Sequence, residues 1–337
     1  MLEIISIILG IVGSVSLFLY SVLSFRTIVH EQAGQQAKTL IHSLTSNPFK
    51  GVLVGTAITG IIQSGTATSV LVASLADAGL VSFYNALGVI YGVNIGAAFT
   101  AQLIAFNVMA ISPFIILFGL ILWRWGGYFA RYAKPIIYIG LVFFSIYLIS
   151  HFVSILDQGL IASLVAFTNN PLLAILAGTI VTILLQSSGV VSGIILVLAG
   201  SGNIDLPQAV GLILGANIGT TATIMLASLA MGKEGRKVAW SHFLFSFLGV
   251  LCILPFLEYL YMAIRYLNDG VVHEIANAHL LFNLFCTVVF LILIKPFARL
   301  VTWIVDKTTK QVPILVSESM HTETEQKVVP ANSEQIN

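Results

Sequence analysis

Hydrophobic residues in this chain do not alternate with polar ones at a strand period or form a narrow helical stripe. They gather in stretches of about twenty, the number needed to cross a hydrocarbon core as a helix, with short polar or basic loops between them. Residues 4–25 read as the first span, retained rather than cleaved because no basic region precedes it and no small-residue exit follows. Residues 28–45 are amphipathic and are expected to lie at an interface. Residues 47–80 are apolar but dense in Gly, Ser and Thr, with Gln63 in the middle. Residues 83–107 are apolar again and are expected to break as a helix at Gly92-Val93-Asn94-Ile95-Gly96. Plainer spans near 109–123 and 135–155 flank the basic loop RWGGYFARYAK. Residues 170–203 and 207–231 then return to the Gly/Ser/Thr-rich pattern, followed by spans near 239–262 and 281–303. From about residue 308 the chain is polar and aperiodic, as expected of a short disordered cytoplasmic tail.

The return of the pattern is a duplication. Shifted by 123 positions, residues 47–103 align on 170–226 without a gap, with 21 identities in 57 positions. Asn47-Pro48 meets Asn170-Pro171, Gly55-Thr56 meets Gly178-Thr179, and Gln63-Ser64 meets Gln186-Ser187. Further on, Gly88, Gly92 and Asn94-Ile95-Gly96 meet Gly211, Gly215 and Asn217-Ile218-Gly219, and Thr100 meets Thr223. Apolar composition produces chance matches at Leu, Ile and Ala, but not preferentially at Gly, Gln, Ser, Asn and Pro.

Composition narrows the class. The chain of 337 residues is 58% hydrophobic and 9% charged, against roughly 25% charged in soluble domains. Cys252 and Cys286 lie inside apolar runs, so neither a disulfide framework nor a transition-metal site is expected, and no nucleic-acid partner is expected. No nucleophile–base pair, phosphate loop or metalloprotease motif stands out, so an enzyme is not expected. Trp123, Trp125, Trp240 and Trp303 sit at span ends, as in an aromatic belt.

The position of the charges gives an orientation. If 47–80 and 170–203 are re-entrant hairpins, three crossings separate them and the second enters from the opposite face. The fold class expected is thus an all-α polytopic membrane protein of inverted repeats, each with a re-entrant helical hairpin and a broken transmembrane helix. On this topology fourteen Lys and Arg residues, Arg26 among them, fall on one face and Arg265 alone on the other. The positive-inside rule makes the basic face cytoplasmic, with the N-terminus outside and the C-terminus in the cytoplasm of a multi-pass plasma-membrane protein.

Polar groups at mid-membrane depth are costly unless bonded. A hairpin tip ends one short helix and starts another, whose free N–H groups and partial positive charge suit an oxyanion. Hydroxyls add donors, and the Gln amide can donate to an anion or accept from a cation. Broken GVNIG and GANIG segments would free carbonyls that, with Asn and Thr/Ser oxygens, suit Na⁺. No charged side chain lies in these segments, so the anion's charge is expected to be balanced by dipoles and co-bound cations. His242 and His279, which recur near the starts of the last long spans, read as packing residues, and Asp77 and Asp205 as solvated turn or cap residues.

The stretches TGIIQSGTATS (59–69) and TILLQSSGVVS (182–192), with YGVNIGAAFT (91–100) and LGANIGTTAT (214–223), resemble the duplicated Gln-Ser-Ser-Ser and Gly-x-Asn-Ile-Gly-Thr segments of the type II sodium–phosphate cotransporter family. The resemblance covers about residues 40–300. It implies a Na⁺-driven inorganic phosphate importer working by an elevator-like or rocking motion. By position, Gln63, Ser64, Gly65, Thr66, Gln186, Ser187 and Ser188 would line the phosphate pocket, and Asn94, Thr100, Asn217, Thr220 and Thr221 would supply oxygens to Na⁺ or phosphate. Departures from the pattern are Gly65 and Gly189 in place of serines, and Ala97-Ala98 where the second half has Thr220-Thr221.

The organisation expected is an N-terminal helix pair (1–45), repeat 1 (47–107), connecting spans (108–169), repeat 2 (170–231), C-terminal spans (232–307) and the tail (308–337). The partners expected are inorganic phosphate, Na⁺ as coupling ion, the lipid bilayer and a second copy in a homodimer, with no organic cofactor. A carrier of another oxyanion or a dicarboxylate, and a membrane scaffold or intramembrane enzyme, are the competing readings.

Overall fold

The computed structural model describes residues 2–106, 111–155, 159, 163, 165–267 and 270–309. Thirteen α-helices are described: α1 (Leu2–Leu44), α2 (Pro48–Ile62), α3 (Gly65–Asp77), α4 (Phe83–Ala105), α5 (Ser112–Trp125), α6 (Ala130–Ile155), α7 (Pro171–Leu185), α8 (Ser188–Gly200), α9 (Leu206–Ser228), α10 (Lys233–Ile253), α11 (Leu257–Leu267), α12 (Val271–Ile292) and α13 (Ile294–Thr309). No strand occurs among the described residues. Six segments are long and apolar enough to cross a membrane: 9–29, 83–105, 127–155, 206–228, 233–267 and 271–292. The protein is an all-α, multi-pass membrane protein.

Asn-Pro starts both halves for a local reason. Asn47 accepts a hydrogen bond from Lys50 N (2.9 Å) and Asn170 from Leu172 N (2.9 Å), and the following proline sits where its missing N–H costs nothing. The helices that follow, α2 and α7, have 15 residues each, and α3 and α8 have 13. Fifteen residues rise only about 22 Å, short of a hydrocarbon core of about 30 Å.

Backbone contacts set the helix directions. A Cβ added to Gly88 would lie 2.0 Å from Pro48 O, one on Gly92 2.1 Å from Val52 O, and one on Gly96 2.7 Å from Thr56 O. Each contact joins residues 40 positions apart, so α4 runs parallel to α2, and α3, which lies between them in the chain, runs the opposite way. The second half repeats this, with Gly215 against Ile175 O (2.0 Å) and Gly219 against Thr179 O (2.6 Å). Thr56 and Thr179 seal the same seams by donating to the carbonyls of Gly92 (3.2 Å) and Gly215 (3.1 Å). Across the halves, a Cβ on Gly189 would meet Thr100 and one on Gly193 would meet Ile104. Helix α8 therefore runs parallel to α4, which turns α9 against the direction of α4.

The expected helix breaks do not occur. Helices α4 and α9 are continuous through GVNIG and GANIG. Their glycines let carbonyls of a neighbouring helix approach where a Cβ would collide, the small-residue packing of membrane helices. The separate span and interfacial helix expected over 4–25 and 28–45 are one 43-residue helix, about 65 Å long. Helix α5, with 14 residues, is shorter than a span and packs antiparallel on α6, Gly119 meeting Ile137 and Gly140 meeting Ile116. The last span is Val271–Ile292, earlier than 281–303, and α13 follows as a separate helix with Lys295, Arg299 and Lys307. Residues 310–337 of the expected tail lie outside the described residues, as do 107–110 and much of 156–164 in the connecting region.

Candidate functional site

Each hairpin turns on a glutamine in the left-handed backbone region, Gln63 (φ 56, ψ 27) and Gln186 (φ 51, ψ 27). They are the non-glycine residues with positive φ among those described. An L-residue there is strained by roughly 1–2 kcal/mol, and strain of this kind concentrates where function needs the geometry. The N–H of each Gln closes the last turn, on Thr59 O (2.7 Å) and Thr182 O (2.7 Å). The next residue starts the returning helix: Ser64 accepts from Ala67 N (3.3 Å) and Ser187 from Val190 N (3.3 Å). Each tip thus presents a Gln amide, a Ser hydroxyl and a helix N-terminus within two residues.

The tips differ in their surroundings. At the first, Gln63 is half-buried; its amide donates to Gly60 O, and its Oε1 accepts from Thr100 Oγ1 (2.8 Å). At the second, Gln186 is exposed, while Ser187 is buried and accepts from Arg26 Nη1 (2.9 Å). Gly65 leaves ordinary room, since a Cβ there would sit 3.4 Å from Val93 and 3.6 Å from Ala97. Gly189 does not: a Cβ would stand 2.8 Å from Arg26 Nη2 and 3.1 Å from Thr100 Cγ2. Arg26, Gln63, Thr100 and Gly189 line one cavity of about 250 Å³, walled otherwise mainly by apolar residues such as Phe18 and Phe143.

The five residues expected to hold a cation are not gathered at one point. Thr100 lies between the tips. Asn94 and Asn217 are buried on α4 and α9, each amide donating to its own helix, on Ile90 O (2.9 Å) and Ile213 O (3.1 Å). Their Oδ1 atoms face His242 Nε2 (3.4 Å) and His279 Nε2 (3.2 Å), carried by α10 and α12. The two histidines are thus matched helix-to-helix contacts, one for each half. Thr220 and Thr221 donate to Ala216 O (2.8 Å) and Ile218 O (2.7 Å), leaving hydroxyl lone pairs unused. Thr66 and Ser188 lie half-buried in the first turns of α3 and α8.

Two sequence-based expectations change. Arg26, counted among the cytoplasmic charges, turns its guanidinium onto the second tip, so a charged side chain does reach the Gln-Ser segments. The physical reason is reach: its long side chain comes from α1, and its contact lies 161 positions away in sequence. Asp77 is not merely solvated. It accepts from Gly232 N (2.9 Å) and Gly235 N (3.1 Å) and so caps α10 from the end of α3. Asp205 is a cap residue as expected, in a capping box with Gln208 at the start of α9.

The profile of the Na⁺/Pi-cotransporter family matches residues 17–151 and again 150–269. An uncharacterized Bacillus subtilis protein, YqeW, is 32% identical over 260 residues, 76% of this chain and 85% of the relative. An Escherichia coli protein provisionally named inorganic phosphate export protein YjbB is 28% identical over 295 residues, 86% of this chain and 54% of the relative. This chain therefore spans about half of that protein's length. The mouse sodium-dependent phosphate transport protein 2C is 48% identical over 83 residues, 23% of this chain and 14% of that protein. No solved structure matches the chain.

Proposed function

This chain belongs to the Na⁺/Pi-cotransporter family, and on that footing we propose that it carries inorganic phosphate across a membrane by alternating access, with Na⁺ as the coupling ion. The observation that carries the reading is the meeting of the two Gln-Ser tips at Thr100. One tip hydrogen-bonds its hydroxyl, and the other packs Gly189 against its methyl side. The start of α8, through Gly189, lines one cavity with Arg26, Gln63 and Thr100, and the hydroxyls of Ser64 and Ser187 cap the two adjoining helix starts, a set of donors suited to a tetrahedral oxyanion. In this reading Gln63, Ser64, Gly65, Thr66, Gln186, Ser187 and Ser188 form the phosphate pocket. Asn94, Thr100, Asn217, Thr220 and Thr221 supply oxygens to Na⁺, the two asparagines exchanging a histidine contact for the ion.

The proposed topology places the basic face in the cytoplasm of a plasma membrane, with the N-terminus outside. Setting Arg26 aside leaves that face dominant in Lys and Arg. The direction of net transport follows the gradients. The E. coli relative is named for export and the mouse relative for sodium-dependent transport, and one carrier mechanism accommodates both. The test is uptake of radiolabelled phosphate by proteoliposomes holding the purified chain. An inward Na⁺ gradient is expected to drive accumulation that K⁺ does not, with arsenate competing. Uptake indifferent to Na⁺, or competition by succinate or sulfate but not arsenate, would sink the reading.

A further inference from the structure

We propose that Arg26 is the fixed positive charge that meets the transported anion, and that Gly189 is the vacancy that admits it. This rests on the phosphate reading above and deepens it by naming a binding residue outside both repeats.

Arg26 lies inside the first membrane-spanning segment, 9–29. A guanidinium has five N–H donors and cannot shed its charge. At this one, Nη1 donates to Ser187 Oγ, while Nε is fully buried and has no partner. No carboxylate among the described residues lies within ion-pair distance of it. Low-dielectric surroundings tolerate a charge when it is paired, and this one is aimed into the cavity that also holds Gln63 and Thr100. An oxyanion bound there would satisfy the spare donors in the paired, charge-assisted geometry that guanidinium and phosphate favour.

Gly189 supplies a second, independent observation. A Cβ at this position would press on both Arg26 Nη2 and Thr100. At Gly65 a Cβ would meet ordinary contacts. A Cβ would thus fit at the first missing hydroxyl, whereas the place of the second is taken by guanidinium donors brought from α1. The anion's charge at the second tip is met by a side chain as well as by helix ends and Na⁺.

The full-length chain in lipid nanodiscs, with ³²P-phosphate as the probe, tests this. In Na⁺, Arg26→Gln is expected to weaken phosphate binding by about 30-fold or more, and added guanidinium is expected to restore part of the binding lost in Arg26→Ala. Phosphate is also expected to slow modification of Arg26 by phenylglyoxal in the unsubstituted protein, read by mass spectrometry, which needs no variant to fold. Unchanged phosphate affinity in Arg26→Gln, or no protection of Arg26, overturns the assignment and leaves the transport reading standing. If the unsubstituted protein binds no phosphate in Na⁺ or K⁺, both fall together.

Discussion

Two hairpin tips of nearly the same sequence are held in place by different parts of the molecule. Gln63 is gripped by Thr100, a residue of its own repeat. Among the described residues no counterpart of that grip occurs in the second half: Gln186 is exposed, and the residue held is Ser187, by an arginine from outside the repeats. The glycines differ in the same sense: a Cβ would meet only ordinary contacts at Gly65 but would press on Arg26 and Thr100 at Gly189. Duplication therefore preserved the turn, its left-handed glutamine and its serine cap, while the surroundings diverged. The lesson is that backbone symmetry between repeats does not carry over to the charges a ligand meets.

The strongest way to probe this comparison is at the seams both halves share. Gly92→Ala and Gly215→Ala each aim a methyl at a backbone carbonyl, at 2.1 and 2.0 Å, and each should destabilise by about 3 kcal/mol. Loss of the monodisperse peak in fluorescence-detected chromatography checks this, and a large difference between the two would show that the halves are not equivalent even here. Next come the glutamines. Gln63→Ala and Gln186→Ala should each cut phosphate uptake by tenfold or more on the order of magnitude expected when a preorganised donor is lost. If Gln186→Ala transports normally, the second tip acts through Ser187 and Arg26 alone.

Smaller effects separate the tips further. Thr100→Val keeps shape but removes the bond to Gln63, worth about 1 kcal/mol, and should lower uptake about fivefold without changing the melting temperature much. Smallest of all is the pair of serine insertions. Gly189→Ser should weaken phosphate binding several-fold by displacing the guanidinium, an overpacking effect of about 1 kcal/mol, whereas Gly65→Ser should stay within about twofold of the parent. Equal results for the two serines would erase the distinction between the glycines.

The duplication, the hairpin positions and the short helices were legible in the amino-acid pattern because Asn-Pro, Gln-Ser and spaced glycines recur at one fixed offset. The continuous α4 and α9 were not. A glycine that interrupts a helix and a glycine that admits a neighbouring carbonyl look alike until the neighbour is known, and here the neighbour lies 40 positions away. Arg26 was misplaced for a related reason: a charge near the end of an apolar run reads as a flanking residue, and only the fold brings it to Ser187. The recurrence of His242 and His279 was visible, but their matched contacts with Asn94 and Asn217 join residues 148 and 62 positions apart.

The seams between α2 and α4, and between α7 and α9, also bear on how such a molecule can move. Where a carbonyl meets a Cα at successive turns, no layer of side chains is left to slip or change rotamer, and tightly packed joints shift between discrete arrangements rather than creeping. Each outer hairpin helix and the span it lies along therefore behave as a single stiff plank. If the proposed alternating access operates, its displacement has to be taken up where side chains still intervene, and the bond from Arg26 to Ser187, which ties α1 to the second tip, is one such place.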